Sequence, residues 1–120
     1  VGTRFDKTKE FCERYKEDGI LWYLESFALS AERLTCGLWH LKEAGWFEHA
    51  SGFVFGRPTF FSSDYEIGYK EAVEAVLGEL HLPIVYEADI GHKAPRFTMI
   101  NGAKGKLTVE NGRGELFMTK

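Results

Sequence analysis

The order of apolar and amphipathic segments is the feature that most constrains how this chain can fold. Short apolar runs, typical of strands, alternate with segments whose apolar residues recur every three or four positions, as on one face of a helix. The strand-like runs cover residues 20–25, residues 53–55 and the stretch that begins at Leu82-Pro83. Such alternation predicts an α/β fold with helices between the strands.

Three helices are expected between these strands. Asp6 can cap a first helix over residues 6–17, which Asp18-Gly19 would end. Ser30 can cap a second helix that Gly45 ends, with leucines at positions 34, 38 and 41 on one face. A third helix is expected over residues 69–80.

The pattern changes beyond Pro95 to three short alternating runs, at residues 97–100, 107–109 and 116–118. Asn101-Gly102 and Asn111-Gly112 separate these runs, and Asn-Gly is a strong hairpin signal. The α/β region is therefore expected to be followed by a β-meander.

Composition limits the class of protein. The 120 residues suffice for a single domain with its own core, and 44% of them are hydrophobic. A net charge of −3 argues against a nucleic-acid partner, because no basic surface is indicated. No apolar run approaches the roughly 20 residues that span a membrane. Cys12 and Cys36 lack the spacing of a redox or zinc motif, so we expect reduced thiols and a cytoplasmic location.

The aromatic content of 15% is high, and several aromatic residues fall at loop ends, among them Phe27, Trp46, Phe60 and Phe61. A small domain cannot easily cover all of them, so some are expected to face another domain or subunit. We therefore expect self-association, with a homodimer as the simplest form.

Two polar residues placed where apolar strands end are the candidate site. Glu25 closes the strand at residues 20–25, and His92 follows the strand that begins at Pro83. The carboxyl ends of strands in α/β sheets are where side chains meet ligands. A carboxylate and an imidazole there could be the orienter and base of a nucleophilic triad. The alternative is a solvated or helix-capping glutamate and a histidine in an ordinary turn.

The chain offers no convincing nucleophile to complete such a triad. None of its serines lies in a Gly-x-Ser-x-Gly elbow, and Ser30 is already explained as a helix cap. His40, His49 and His81 need no functional explanation. No cofactor is expected, because neither a metal-ligating cluster nor a glycine-rich phosphate loop is present.

Four ordered blocks resemble the C-terminal domain of the LD-carboxypeptidase family, which includes muropeptide LD-carboxypeptidases and microcin C self-immunity peptidases. The blocks are Gly19-Ile-Leu-Trp-Tyr-Leu-Glu25, residues 34–47 ending in Leu41-Lys-Glu-Ala-Gly-Trp-Phe47, Gly52-Phe-Val-Phe-Gly-Arg57, and Leu82-Pro-Ile-Val through Gly91-His92 with Pro95 downstream. Together they cover nearly the whole chain.

The resemblance implies a swivelling-type C-terminal domain over residues 1–120. In this family the serine nucleophile and oxyanion hole lie in an N-terminal α/β domain, which this chain lacks, and the C-terminal domain supplies a glutamate and a histidine. These match Glu25 and His92. The resemblance thus implies a cytoplasmic serine peptidase that acts on a peptide-like substrate, either a muropeptide or a peptide conjugate. The alternative is a binding or interaction domain without chemistry.

Overall fold

A computed structural model of the protein describes residues 1–119. The elements in chain order are α1 (Thr8–Arg14), β1 (Ile20–Leu24), α2 (Ala31–Glu43), β2 (Ala50–Gly56), α3 (Tyr69–Leu77), a 3₁₀ turn (Gly78–Leu80), β3 (Ile84–Ala88), β4 (Lys104–Glu110) and β5 (Arg113–Thr119). The alternation of helices and strands predicted from the sequence is confirmed.

The first three strands form a parallel sheet in the order β1-β2-β3, with β2 in the centre. Trp22 of β1 lies opposite Phe53 of β2, and Val54 of β2 lies opposite Val85 of β3. Each connection between neighbouring strands carries one helix, and right-handed crossovers place both helices on the same face of the sheet. Helices α2 and α3 accordingly pack against each other.

The core lies between this face of the sheet and the two helices. Phe53 and Phe55 of the central strand are fully buried, and they pack with Leu34 and Leu38 of α2 and with Val73 of α3. Burying an aromatic or branched side chain of this size contributes roughly 1.5–3 kcal/mol. The central strand is therefore firmly held, and its carboxyl end is a rigid base for whatever follows it.

The ends of the helices follow local chemistry. The hydroxyl of Ser30 accepts a hydrogen bond from the backbone N–H of Arg33 at 3.3 Å, so the predicted cap of α2 is confirmed. α1 is shorter than predicted, because residues 15–18 form a turn instead of continuing the helix. The N-cap position of α1 is Lys7 and not Asp6 as predicted, because the helix begins only at Thr8; Asp6 accepts a hydrogen bond from the N–H of Thr8 at 3.0 Å. α3 ends at Leu77, and the last predicted turn tightens into the 3₁₀ turn.

The chain ends in an antiparallel hairpin of β4 and β5. Asn111 and Gly112 both have positive φ, 50° and 75°, as a two-residue hairpin turn requires. The run at residues 97–100, expected to be a strand, is not one. Its first N–H, on Phe97, donates instead to the carbonyl of Asp89 at 2.9 Å and closes the loop between them. The third strand of the expected meander is therefore replaced by a loop closure.

The hairpin faces the side of the sheet that α2 and α3 do not cover, across a pocket. A cavity of about 590 Å³ between hairpin and sheet is lined by Val54 and Val85 on one side and by Leu107 and Leu116 on the other. Both cysteines are free thiols, as predicted. None of the helices within residues 1–119 has the length and apolar character needed to cross a lipid bilayer.

Candidate functional site

Glu25 and His92 meet at the carboxyl edge of the parallel sheet. Glu25 directly follows β1, and His92 lies in the loop after β3. The imidazole Nδ1 is 3.0 Å from Oε2 of the carboxylate, which is hydrogen-bonding distance. The structure thus brings together the two residues that the sequence singled out.

Their contact requires the loop after β3 to cross the end of β2, because β1 and β3 lie on opposite sides of that strand. Gly56, the last residue of β2, allows this crossing. A Cβ at position 56 would stand 2.6 Å from the carbonyl oxygen of Ile90. The buried side chain of Ile90 then anchors the loop just before His92.

Gly91 makes room for the carboxylate itself. It has a φ of +93°, and a Cβ there would stand 2.2 Å from Cγ of Glu25. A side chain at position 91 would therefore both strain the backbone and collide with Glu25. Gly56 and Gly91 are thus both required, because the carbonyl of Ile90 and the side chain of Glu25 leave no room for a Cβ at these positions.

The carboxylate of Glu25 is held from its own strand end as well. Oε2 accepts a hydrogen bond from the backbone N–H of Phe27 at 3.1 Å, and the side chain is only 19% exposed. Oε1 is buried and has no hydrogen-bond partner within residues 1–119. The carboxylate oxygen that faces His92 is thus the one whose position is fixed.

The imidazole of His92 is held on one side and open on another. The ring of Phe27 lies against it, with a centroid distance of 4.3 Å and an angle of 35° between planes. The side chain of His92 is 57% exposed. Phe60 in turn contacts Phe27 edge-on at 5.6 Å. We call Phe27, Phe60 and His92 the aromatic patch; Phe27 is 46% and Phe60 76% exposed.

Within residues 1–119, the hydrogen bonds and ion pairs include none between His92 and a serine, threonine or cysteine. Ser26 comes directly after Glu25, but it is buried and donates to the hydroxyl of Tyr69 at 3.1 Å. Burial raises the pKa of Tyr69, and the nearby charge of Glu25 adds to that effect. The two site residues thus lack a nucleophile in the described part of the chain.

The other three histidines lie in separate parts of the fold. His40 is in α2, His81 ends the 3₁₀ turn with a φ of 53°, and His49 has its Nε2 3.7 Å from a carboxylate oxygen of Glu13. No group of three or more potential metal-ligating side chains occurs in the described residues.

Sequence reasoning missed the contacts of Arg57, which follows the carboxyl end of β2. Its Nη2 donates to the carbonyl of Lys93 at 3.1 Å and to the carbonyl of Pro95, and it lies 3.0 Å from Oδ1 of Asp89. The sequence signal was its place directly after the central strand, the same signal that identified Glu25 and His92 after the outer strands.

Comparisons with known proteins agree with this architecture. The family model described as the LD-carboxypeptidase C-terminal domain matches residues 2–107. The crystal structure of muramoyltetrapeptide carboxypeptidase from Oxalobacter formigenes is similar, with a TM-score of 0.73 and 24% sequence identity. That likeness covers 85% of this chain and 37% of the other, and it shows a common fold. No curated protein sequence matches the chain. Because the family model accounts for most of its length, this chain belongs to the family of LD-carboxypeptidase C-terminal domains.

Proposed function

We propose that this chain is the C-terminal domain of a serine carboxypeptidase-like hydrolase and supplies two members of a Ser-Glu-His triad. The serine would come from an N-terminal nucleophile domain of the same protein. The observation that carries the proposal is the 3.0 Å approach of Nδ1 of His92 to Oε2 of Glu25 at the carboxyl edge of the sheet. A base held by a carboxylate that is mostly shielded from solvent, with its ring still open to the outside, is the arrangement that such a triad needs.

The proposed chemistry follows from the tautomer that this contact selects. When Nδ1–H donates to Glu25, Nε2 carries the free lone pair. Nε2 then takes the proton of the serine hydroxyl as the serine oxygen attacks the substrate carbonyl. The protonated ring gives that proton to the leaving amine as the carbon–nitrogen bond breaks. A water molecule, activated by the same nitrogen, then hydrolyses the acyl-enzyme and restores the serine.

Glu25 acts through His92 in this scheme and does not change its own protonation. Its ionised carboxylate orients the ring and stabilises the imidazolium that forms during each transfer. The backbone N–H of Phe27 holds the same carboxylate oxygen, so the orienting group is itself fixed. Preorganisation of this kind lowers the barrier because no group must reorganise during the reaction.

The exposure of the site supports its completion by a second domain. His92 is 57% exposed, and the aromatic patch around it is not covered by the chain's own core. An N-terminal domain that covers the patch would bring its serine and oxyanion donors to Nε2 and exclude water from the reaction. The similar Oxalobacter formigenes protein is named a muramoyltetrapeptide carboxypeptidase, which favours a muropeptide as substrate over a peptide conjugate. The proposed reaction needs no cofactor. Recycling of cell-wall peptides in the cytoplasm would supply such a muropeptide substrate.

A second candidate function is a binding or interaction domain without chemistry. The aromatic patch favours it, because exposed rings beside a polar pair are also typical of a protein-binding surface. In that case the Glu25–His92 contact would only shape the surface.

The two functions are separated by turnover measurements on the longer protein, in which the proposed N-terminal nucleophile domain precedes this chain. The variant is His92→Asn, and His81→Asn is the matched control. His81 is exposed, remote from the site and in a left-handed conformation that asparagine tolerates. We expect His92→Asn to lower kcat by about 10⁴-fold or more on a muropeptide substrate. The control should turn over normally. Normal turnover by a folded His92→Asn variant would refute the catalytic role and leave the binding function.

A further inference from the structure

One arginine joins three points of the loop that carries His92. Nη2 of Arg57 donates to the carbonyls of Lys93 and Pro95, which follow His92, and it pairs with the carboxylate of Asp89, which precedes it. Arg57 thus contacts the loop on both sides of the histidine.

The loop has few other ties on its outgoing side. The N–H of Phe97 closes it onto the carbonyl of Asp89, and the buried side chain of Ile90 anchors its beginning. Within the described residues, the carbonyls of positions 93 and 95 accept hydrogen bonds only from Arg57. The path of the chain just after His92 therefore depends on this one guanidinium.

We propose that Arg57 is a positioning residue that holds the loop so that Nδ1 of His92 faces Glu25. This inference rests on the proposed catalytic function and extends it to a third side chain, which does not touch the reacting atoms. The planar, permanently charged guanidinium suits the task, because two N–H bonds on one nitrogen reach two carbonyls while the charge is balanced by Asp89.

The surroundings of Arg57 argue against a purely stabilising role. Its side chain is 25% exposed, and Nε is buried without a hydrogen-bond partner in residues 1–119. An unpaired buried donor is unfavourable for folding, so the arrangement is not the most stable one for this position. What Arg57 provides is a defined conformation of the loop.

In the longer protein, Arg57→Gln should lower kcat by about 10- to 100-fold with little change in KM, because a small displacement of a catalytic base is costly. Arg57→Lys should recover part of that loss, since an ammonium can donate to the two carbonyls but lacks the planar geometry. Arg33→Gln is the matched control, because Arg33 is exposed on α2 and away from the loop.

The state of the His92 ring in this chain gives a readout that a purely structural role would not move. ¹⁵N spectra report which ring nitrogen carries the proton, and nuclear Overhauser effects report the contact between the His92 and Phe27 rings. We expect the wild type and Arg33→Gln to show Nδ1–H and the ring contact. Arg57→Gln should lose both while its circular dichroism stays native, and Arg57→Lys should lose less.

The possible outcomes separate this inference from the proposed function. Wild-type spectra with Nδ1–H, unchanged in Arg57→Gln, overturn the role of Arg57 and leave the catalytic pair intact. A wild-type ring without Nδ1–H contradicts the pair itself and the inference with it. If Arg57→Gln does not fold, the folded Arg57→Lys variant decides. A kcat, an Nδ1–H signal and a His92–Phe27 ring contact identical to those of the wild type overturn the role. A partial loss of kcat and of these two signals supports it.

Discussion

Gly91 lies against Glu25 so closely that a Cβ at position 91 would stand 2.2 Å from Cγ of the glutamate. Gly91→Ala should therefore displace the carboxylate from His92 as well as strain a backbone with a φ of +93°. We expect a destabilisation of about 1–3 kcal/mol from the strain. We also expect a loss of kcat in the longer protein close to that of His92→Asn. Denaturant unfolding and steady-state kinetics measure the two effects.

Gly102→Ala is the control for Gly91→Ala. Gly102 also has a positive φ, +73°, but a Cβ there would meet no atom within 4 Å. Its substitution should lower stability through backbone strain alone and leave kcat unchanged. Equal kinetic effects of the two alanine variants would contradict the steric role assigned to Gly91.

Phe60 has a left-handed conformation, with a φ of 54°, that is unfavourable for a bulky aromatic residue. Asparagine adopts this conformation more readily, so Phe60→Asn should raise the free energy of unfolding by about 0.5–1 kcal/mol. Urea denaturation measures the change. A destabilised Phe60→Asn variant would show that the exposed ring stabilises the fold through its edge-on contact with Phe27.

The aromatic patch should make the isolated chain self-associate. Phe27 and Phe60 are exposed, and apolar surface of this kind is covered when two copies meet. Light scattering over a concentration series should show a rising mean mass, with a dimer as the first step, and Phe60→Asn should weaken it. Tyr65→Asn is the control, because Tyr65 is as exposed as Phe60 but is not part of the patch. Equal association by both variants would exclude the patch as the interface.

Asp6 gives the fold a specific dependence on pH. Its pKa is held well below the usual range, first by the hydrogen bond from the N–H of Gly2, then by Thr8 and the indole of Trp46. A lowered folded-state pKa adds stability above the unfolded-state pKa of about 4, and that stability is lost as the pH falls through the folded-state value. Asp6→Asn should therefore destabilise the chain near neutral pH and progressively less in acid.

Urea unfolding followed by tryptophan fluorescence, at about pH 6 and about pH 2, measures this difference. Asp64→Asn serves as the control, because Asp64 is an exposed carboxylate elsewhere on the surface. A difference between wild type and Asp6→Asn that is the same at both pH values would contradict the role given to the charge of Asp6.

The features that were predictable from the sequence are those that depend on neighbouring residues or on a general rule of sheets. Ser30 caps its helix through local hydrogen bonding, and Asn111-Gly112 turns its hairpin because both residues tolerate positive φ. The meeting of Glu25 and His92 followed from their positions after strands, since such ends share one edge of a parallel sheet.

The features that sequence reasoning missed depend on partners distant in the chain. The run at residues 97–100 alternates like a strand. The N–H of Phe97, however, donates to the carbonyl of Asp89 and is therefore not available for hydrogen bonding to a neighbouring strand. Arg57 binds backbone carbonyls, which every residue has, so its position after the central strand was a signal that did not identify its partners. Local pattern thus specified the elements, and tertiary contacts decided how the loop around His92 is built.

A double-mutant cycle on Glu25 and His92 in the longer protein tests the central claim most directly. If Glu25 acts only by orienting His92, its removal costs nothing once the histidine is gone. We predict that Glu25→Gln lowers kcat/KM, that His92→Asn lowers it further, and that the double variant equals His92→Asn alone. Independent, multiplicative losses would contradict the account, because they would show that the two residues do not act as one unit.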